Sequence, residues 1–244
     1  MMNRFKSNIW MSLLSSSNSY LSQKISYLAH EVERLKWKER LQDAGIPEAD
    51  KILTYTNSRE LGALYELASN CPQNALALEV GSHLGASSCY IAAGLKKIDG
   101  HLFCVDTWNN ETMPEGEQNT FRKFQENTSG VKQQITPVNK RSEEINAEDI
   151  KVPLDFIFID GDHSYEAVKK DFEHTQKWLT EDGIIAFHDF SQPNFEGVTR
   201  VVGEALASGK WMIIGQVDTL VWIQKAQWVQ PTWLSYQDSS ATVP

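Results

Sequence analysis

Short apolar runs alternate with helical segments along most of this chain, and this alternation restricts the possible folds more than any other feature. The first five predicted strands cover 75–80, 101–106, 133–138, 154–160 and 183–189. Strands that alternate with helices at this spacing form βαβ units and a mostly parallel sheet. The runs are continuously apolar, as expected for strands that are covered on both faces.

The end of the alternating region differs from the rest. Two further predicted strands, 211–216 and 219–224, are separated by only two residues, which indicates an antiparallel hairpin. Helices are predicted over 58–68, 86–97, 121–130 and 197–207, and a further helical face comprises Tyr165, Val168, Phe172, Gln176 and Leu179.

An apolar stripe precedes the alternating region. Leu21, Ile25, Leu28, Val32 and Leu35 are spaced four and three residues apart, which predicts a helix of nearly two heptads. The stripe is too short for an independent coiled coil, so it either packs on the main domain or pairs with another subunit. Because the stripe is apolar, we expect a homo-oligomer formed through this helix.

The domain division follows from these segments. Residues 1–50 are expected to form an N-terminal arm and the amphipathic helix, 51–226 the main domain, and 227–244 a mobile tail. The first 30 residues carry no acid and several serines, which loosely fits a transit peptide, but a flexible arm is the favoured interpretation.

Composition excludes several partners. The 23 basic and 32 acidic residues give a formal charge of −9, which argues against nucleic acid and anionic membrane surfaces. No apolar run reaches the roughly 18 residues of a membrane span. The three cysteines are odd in number and lack CxxC spacing, so we interpret them as buried thiols in a reducing, cytoplasmic environment.

The turn after the first strand has the composition of a ligand-binding loop. In EVGSHLGASS, Gly81 and Gly85 allow close approach of a ligand to the backbone, and a helix begins just beyond them. The spacing is GxxxG rather than GxGxxG, which disfavours a pyrophosphate cradle and leaves a merely tight turn as the alternative. Asp106 ends the next strand, where a carboxylate either holds ribose hydroxyls or caps a helix. Together the two features indicate an adenosine-type cofactor.

Two later strands each end in a carboxylate beside a histidine. Asp160 and Asp189 end adjacent parallel strands, so they are expected to converge on a divalent cation. His188 either supplies a nitrogen or turns away, because neighbouring strand residues face opposite sides. His163 is positioned as a general base. In the alternative interpretation, this turn only caps the following helix and His163 is a polar loop residue.

These motifs resemble a known family. In their order and spacing, EVGSHLGASS, HLFCVDTW, FIDGDHSYEAVKKDF and GIIAFHDF resemble the class I S-adenosylmethionine-dependent methyltransferases. The nearer resemblance is to the branch with macrolide-sugar O-methyltransferases and a cephalosporin-biosynthesis protein once called a hydroxylase. It covers about 76–224, with IDGDHSY as its most specific part. It implies an α/β fold with a seven-stranded, mostly parallel, Rossmann-like sheet and a reversed last strand.

The resemblance also implies a cofactor site. The glycine turn would line the methionine part of S-adenosylmethionine, the carboxylate that ends the second strand would hold the ribose, and a serine after the third strand would lie near the adenine. The implied cofactor-binding residues are Glu79, Gly81, Ser82, Gly85, Asp106, Ser142 and Asp160.

A metal site is implied as well. Asp160 and Asp189 would hold Mg²⁺ or a similar ion such as Mn²⁺, with His188 as a candidate third ligand and His163 as the catalytic base. The best-known metal-using relatives carry an acid where this chain has His188. Histidine binds Mg²⁺ poorly and suits Mn²⁺, Fe²⁺ or Zn²⁺ better.

The expected reaction is methyl transfer to a hydroxyl of a small acceptor, by analogy a sugar or polyhydroxylated natural product. Candidate pocket elements are Trp108, the segment 113–119 and the Trp-rich tail, although plain packing or a loop is the more common role for each. Two alternatives remain: a metal-dependent hydrolase or oxygenase that uses the same strand ends, and a non-catalytic binding or assembly protein.

Overall fold

One seven-stranded sheet forms the centre of the computed structural model, in the order β3-β2-β1-β4-β5-β7-β6. The structure describes residues 20–21, 24–25, 27–28, 31–32, 35–110 and 116–226. The expectations for a flexible arm or transit peptide at the N-terminus, for the tail and for part of the segment 113–119 lie outside these residues.

The strands are β1 (Leu76–Val80), β2 (His101–Asp106), β3 (Ile135–Asn139), β4 (Leu154–Ile159), β5 (Leu179–Phe187), β6 (Trp211–Val217) and β7 (Leu220–Lys225). The first five pair in parallel, whereas β7 runs antiparallel to both β5 and β6. The predicted α/β fold with a reversed last strand and a terminal hairpin is therefore confirmed.

Helices cover both faces of this sheet. They are α1 (35–44, its continuous part), α2 (Ser58–Ser69), α3 (Ala86–Lys96), α4 (Phe121–Asn127), α5 (Tyr165–Thr175) and α6 (Glu196–Ala207). One core lies between the sheet and the α1–α4 side, and the second lies between the sheet and α5 and α6. Burial on both faces explains why the strands read as unbroken apolar runs.

The helical face predicted to extend to Leu179 is wrong at its end. Helix α5 stops at Thr175, a short 3₁₀ turn covers Gln176–Trp178, and Leu179 begins β5. There Leu179 is buried and pairs with Leu154 of β4. This tertiary contact overrides the helical spacing, which alone is a weak signal.

The N-terminal helix divides into two parts. In α1, Trp37 and Leu41 are buried in the core, and the Trp37 ring lies against Tyr65 of α2 at a centroid distance of 5.1 Å. A Cβ on Gly62 would come within 2.5 Å of the Trp37 ring, so the glycine permits this close packing. The five stripe residues are each more than half exposed; four precede α1, and Leu35 is its first residue.

The expectations for the cysteines and for membrane spans can be compared with the described residues. Cys71, Cys89 and Cys104 are free thiols, and the latter two are buried. Among the described residues, no helix combines the length and the hydrophobicity that crossing a membrane requires.

Candidate active site

The carboxyl ends of β4 and β5 bring two aspartates and two histidines together. Ligand atoms of Asp160, His163, His188 and Asp189 all lie within 4.8 Å of one another. The strands are adjacent, with Ile159 of β4 opposite Phe187 of β5, so the polar residues that follow them meet at one edge of the sheet.

His188 faces the cluster rather than turning away. Strand β5 ends at Phe187, and Asp189 adopts a positive φ of 58°. The regular alternation of side chains therefore stops at the strand end. As a result, the consecutive side chains of His188 and Asp189 point to the same place.

Each of the two carboxylates in the cluster lies close to both imidazole rings. Asp160 Oδ1 lies 3.4 Å from His163 Nε2 and 3.2 Å from His188 Nδ1. Asp189 Oδ2 lies 3.1 Å from His163 Nε2 and 3.3 Å from His188 Nδ1. Ligands about 2.1 Å from one ion, at angles between octahedral and tetrahedral, are separated by roughly 3.0–3.4 Å. The four residues therefore fit a divalent cation.

Opposite charges dominate the electrostatics of the cluster. Burial alone would raise the pKa of Asp160, but the charge of His188 and a hydrogen bond from His163 lower it to about 2. Burial would lower the pKa of His188, but Asp160, Asp189 and Glu60 raise it to about 12. The pKa of His163 is also raised, because Asp160 and Asp189 outweigh its burial. The protonated imidazoles therefore offset the charge of the two aspartates, and a bound cation would take over this role.

Glu60 is a site residue that the sequence analysis missed. Its carboxylate Oε2 accepts a hydrogen bond from His188 Nε2 at 3.1 Å, and the two side chains are only 2% and 3% exposed. Thr219 donates to Oε1 from its backbone N–H at 2.8 Å and from its hydroxyl at 2.7 Å. Burial opposes ionisation of Glu60, yet these donors lower its pKa to about 2.

The sequence pattern around Glu60 indicates a helix start and not a site residue. Asn57 and Glu60 form a reciprocal capping box at the start of α2, a pattern that is legible in the sequence. That pattern predicts a helix start only. The contact with His188 joins residues 128 positions apart and depends on how α2 packs against β5.

A cavity of about 410 Å³ lies at the carboxyl ends of β1, β2 and β3. The residues that the resemblance assigns to the ribose and the adenine line it. Asp106 lines it and accepts backbone hydrogen bonds from Ser82 and His83, each at 2.8 Å, and from Trp108 at 2.6 Å. Asp106 thus holds the glycine turn in place from the edge of the cavity. Its contact with a ribose stays a prediction.

Ser142 lines the same cavity and is buried. Its hydroxyl donates to the carboxylate of Asp171 on α5. Burial raises the pKa of Asp171 to about 6, because its hydrogen bond with Ser142 only partly compensates and the charges of Glu143 and Asp162 add to the effect. The pair lies where the resemblance implies the adenine.

Glu79 lies behind the glycine turn and is fully buried. It lines neither this cavity nor the larger one described below. Its carboxylate accepts hydrogen bonds from the hydroxyls of Ser82 at 2.8 Å and Ser87 at 2.6 Å, and from Ser88. Burial raises the pKa of Glu79. The observed contacts anchor the start of α3 to β1, and direct contact with the cofactor stays a prediction.

The two glycines of the turn both have a φ of +88°. A Cβ on Gly81 would lie 2.1 Å from the backbone carbonyl oxygen of Asp160, so β1 and β4 approach closely at this point. Gly85 is the N-cap of α3, and a Cβ there would meet Thr128 and Phe124. Both positions therefore require glycine for the turn itself.

A larger cavity, of about 650 Å³, lies on the other side of the cluster. Leu53, Tyr55 and Phe195 contribute apolar walls, and the four cluster residues contribute polar groups. The two cavities share lining residues at Gly81 and in the Asp160 turn. A ligand in either cavity would therefore reach Gly81 and the Asp160 turn, which form the boundary between the cavities and are called the seam below.

Of the two interpretations of Trp108, a pocket element or plain packing, the structure supports packing. Trp108 is fully buried, and its ring packs against Phe121 at 4.7 Å and Phe124 at 4.9 Å between ring centroids. It lines neither cavity. The indole is instead part of the core beneath α4.

Comparisons with known proteins agree on the class of this fold. Residues 78–190 match a family model described as a methyltransferase domain. A Corynebacterium glutamicum protein from structural genomics superposes with a TM-score of 0.61 at 14% identity, covering 85% of this chain and 99% of its own.

Two further methyltransferase structures are also similar. The calicheamicin methyltransferase CalS11 superposes with a TM-score of 0.51 at 16% identity, over 67% of this chain and 76% of its own. The O-methyltransferase NovP gives 0.53 at 14%, over 71% and 82%. At these identities the likeness establishes the fold.

The strand order and the glycine turn are those of the class I methyltransferase fold, and the match over 78–190 identifies a methyltransferase domain, which supports an S-adenosylmethionine-dependent methyltransferase. CalS11 and NovP share this fold. The hydrolase, oxygenase and non-catalytic alternatives find no support in these comparisons.

Proposed function

We propose that this enzyme methylates a hydroxyl oxygen of a sugar or polyhydroxylated natural product and that a divalent cation assists the reaction. The carrying observation is that the two cavities share the turn at Asp160, and that a cluster of two carboxylates and two imidazoles lines the larger cavity at this turn. The acceptor class is supported by the similar fold of CalS11, which is described as a TDP-rhamnose 3′-O-methyltransferase. Release of S-adenosylhomocysteine with a panel of nucleotide-linked sugars tests that class.

In this proposal each cavity holds one reactant. The smaller cavity would bind S-adenosylmethionine, which supplies the methyl group, and the larger cavity would bind the acceptor. Asp160, His188 and Asp189 would hold the cation, whose charge would lower the pKa of the acceptor hydroxyl. His163 Nε2 would accept the hydroxyl proton, since it lies at the seam within 3.4 Å of both aspartates. The turn at Gly81 would align the acceptor oxygen with the methyl group.

Cation binding should depend on the cluster carboxylates. Calorimetric titration of the EDTA-treated enzyme with S-adenosylmethionine should give micromolar binding, and titration of that complex with Mg²⁺ and Mn²⁺ should show a single cation site. The substitution Asp189→Ala should abolish cation binding, because it removes one of two anionic ligands. Asp162→Ala is the matched control, since Asp162 belongs to the same turn but not to the cluster. A cation affinity unchanged by Asp189→Ala would contradict the proposed site.

We also propose that the exposed stripe on the N-terminal helix is covered by a second copy of this chain. Leu21, Ile25, Leu28, Val32 and Leu35 are exposed, whereas Trp37 and Leu41 of α1 pack on the domain. Light scattering at micromolar concentration should therefore give a dimer or larger oligomer. The double substitution Ile25→Glu/Val32→Glu should yield a monomer, because charge on both partners' stripes disfavours association. A monomeric unmodified chain would refute this proposal.

A further inference from the structure

On the side away from the cluster, the His188 ring contacts the Glu60 carboxylate, which acts there as a hydrogen-bond acceptor and not as a donor. Glu60 is buried, and its two oxygens already accept hydrogen bonds from Thr219 and from the backbone N–H of Asn57. An ionised carboxylate only accepts hydrogen bonds. His188 Nε2 must therefore carry the proton in the 3.1 Å contact with Glu60 Oε2.

This contact fixes which nitrogen faces the cluster. With the proton held on Nε2, the other nitrogen, Nδ1, is directed towards Asp160 and Asp189 at 3.2 and 3.3 Å. Binding of a cation would displace the second proton of His188, and Nδ1 would then offer its lone pair to the ion. A carboxylate behind a histidine ligand is a common way to fix the tautomer and ring orientation and to raise ligand basicity.

We propose that Glu60 is a positioning residue that makes His188 a nitrogen ligand, so that the site selects a borderline transition-metal ion such as Fe²⁺, Co²⁺ or Zn²⁺ over Mg²⁺. The proposal rests on the cation site of the proposed function and specifies its metal class. Magnesium prefers an all-oxygen octahedral environment, whereas imidazole suits these softer ions. Two aspartates with one or two imidazoles form a mixed nitrogen and oxygen donor set.

A purely structural role for Glu60 makes different predictions. Glu60 joins the start of α2 to β5 and to the turn before β7, so it also stabilises the packing of α2. If that were its whole role, Glu60→Gln would change the stability of the protein but not the ligand field of a bound metal. Metal spectra therefore separate the two roles.

The test uses Co²⁺ as the probe, because its visible absorption reports nitrogen ligation directly and needs no turnover. The EDTA-treated enzyme, saturated with S-adenosylmethionine, is titrated with Co²⁺ and, by calorimetry, with Mg²⁺. We expect Co²⁺ to bind at least about tenfold more tightly. Glu60→Gln should weaken Co²⁺ binding by about 10- to 100-fold and shift the absorption bands, the range seen when outer-shell partners of metal ligands are lost. Glu66→Gln, on the same helix but paired with Arg40 at the surface, should change neither.

A second variant keeps the test informative if Glu60→Gln folds poorly. The double substitution Glu60→Gln/His188→Glu replaces the nitrogen ligand with a carboxylate to which the new amide can donate. It should reverse the preference towards Mg²⁺ and remove the nitrogen-dependent bands. Equal affinities of the unmodified enzyme for Co²⁺ and Mg²⁺, or Co²⁺ spectra that neither variant alters, would overturn the inference alone. Binding of S-adenosylmethionine without binding of either cation would overturn the proposed cation site as well.

Discussion

Replacing His163 with alanine should lower kcat by about two to four orders of magnitude, the usual contribution of a positioned general base. His163 Nε2 lies at the seam of the two cavities, 3.1 Å from Asp189 and 3.4 Å from Asp160. Its ring also packs against Phe195 at a centroid distance of 4.4 Å, which holds it in that position. The measurement is the rate of S-adenosylhomocysteine release with a saturating acceptor.

The binding constants of the same variant identify the role of His163. If it is the base, His163→Ala should retain its affinity for S-adenosylmethionine and for the cation while turnover falls. If cation affinity falls instead, His163 is a fourth metal ligand, which its distances within the cluster also permit. His174→Ala is the matched control, since His174 lies on α5 and bonds to the backbone of Ile145 outside both cavities. Full activity of His163→Ala would remove the assignment as base.

The second large effect is expected from Gly81→Ala, which should destabilise the fold by about 2–5 kcal/mol and eliminate cofactor binding. The left-handed backbone costs roughly 1–2 kcal/mol for a residue with a Cβ, and overpacking adds about 1–3 kcal/mol. The new Cβ would lie 2.1 Å from the carbonyl oxygen and 2.6 Å from the carbonyl carbon of Asp160. Relief requires β1 and β4 to separate at the point where the two cavities meet.

Denaturant unfolding and calorimetry with S-adenosylmethionine measure these two effects. Gly203→Ala provides the matched control, because Gly203 lies within α6 and its added Cβ would meet no atom within 4 Å. That control should gain up to about 1 kcal/mol from better helix propensity. Unchanged stability and cofactor affinity in Gly81→Ala would show that the turn tolerates a side chain.

The sheet was predictable because burial on both faces gives each strand a recognisable apolar run. The predicted strands differ from the observed ones mainly at their ends, as with β5, which begins at Leu179 rather than 183. Its first residues include the polar sequence Thr180-Glu181-Asp182, which hid the strand. Pairing of Leu179 with Leu154 supplied the missing information, and that pairing exists only in the folded chain.

The convergence of Asp160, His163, His188 and Asp189 was predictable for a related reason. In a parallel sheet, residues that follow adjacent strands meet at one edge, so the order of strands places the polar residues without any side-chain detail. The direction of His188 was not predictable, because it depends on where β5 ends and on the positive φ of Asp189.

The sequence by itself therefore determined the class of fold, the edge of the sheet that carries the site and most of the polar residues there. Hydrophobic periodicity and the succession of strands along the chain are properties of short stretches of sequence. Only the tertiary structure decided that Glu60 supports His188, that Glu79 holds three serines and that Trp108 is core. The contacts of Glu60 and Glu79 depend on side-chain direction and helix packing, and the one between Glu60 and His188 spans 128 positions, which no local pattern encodes.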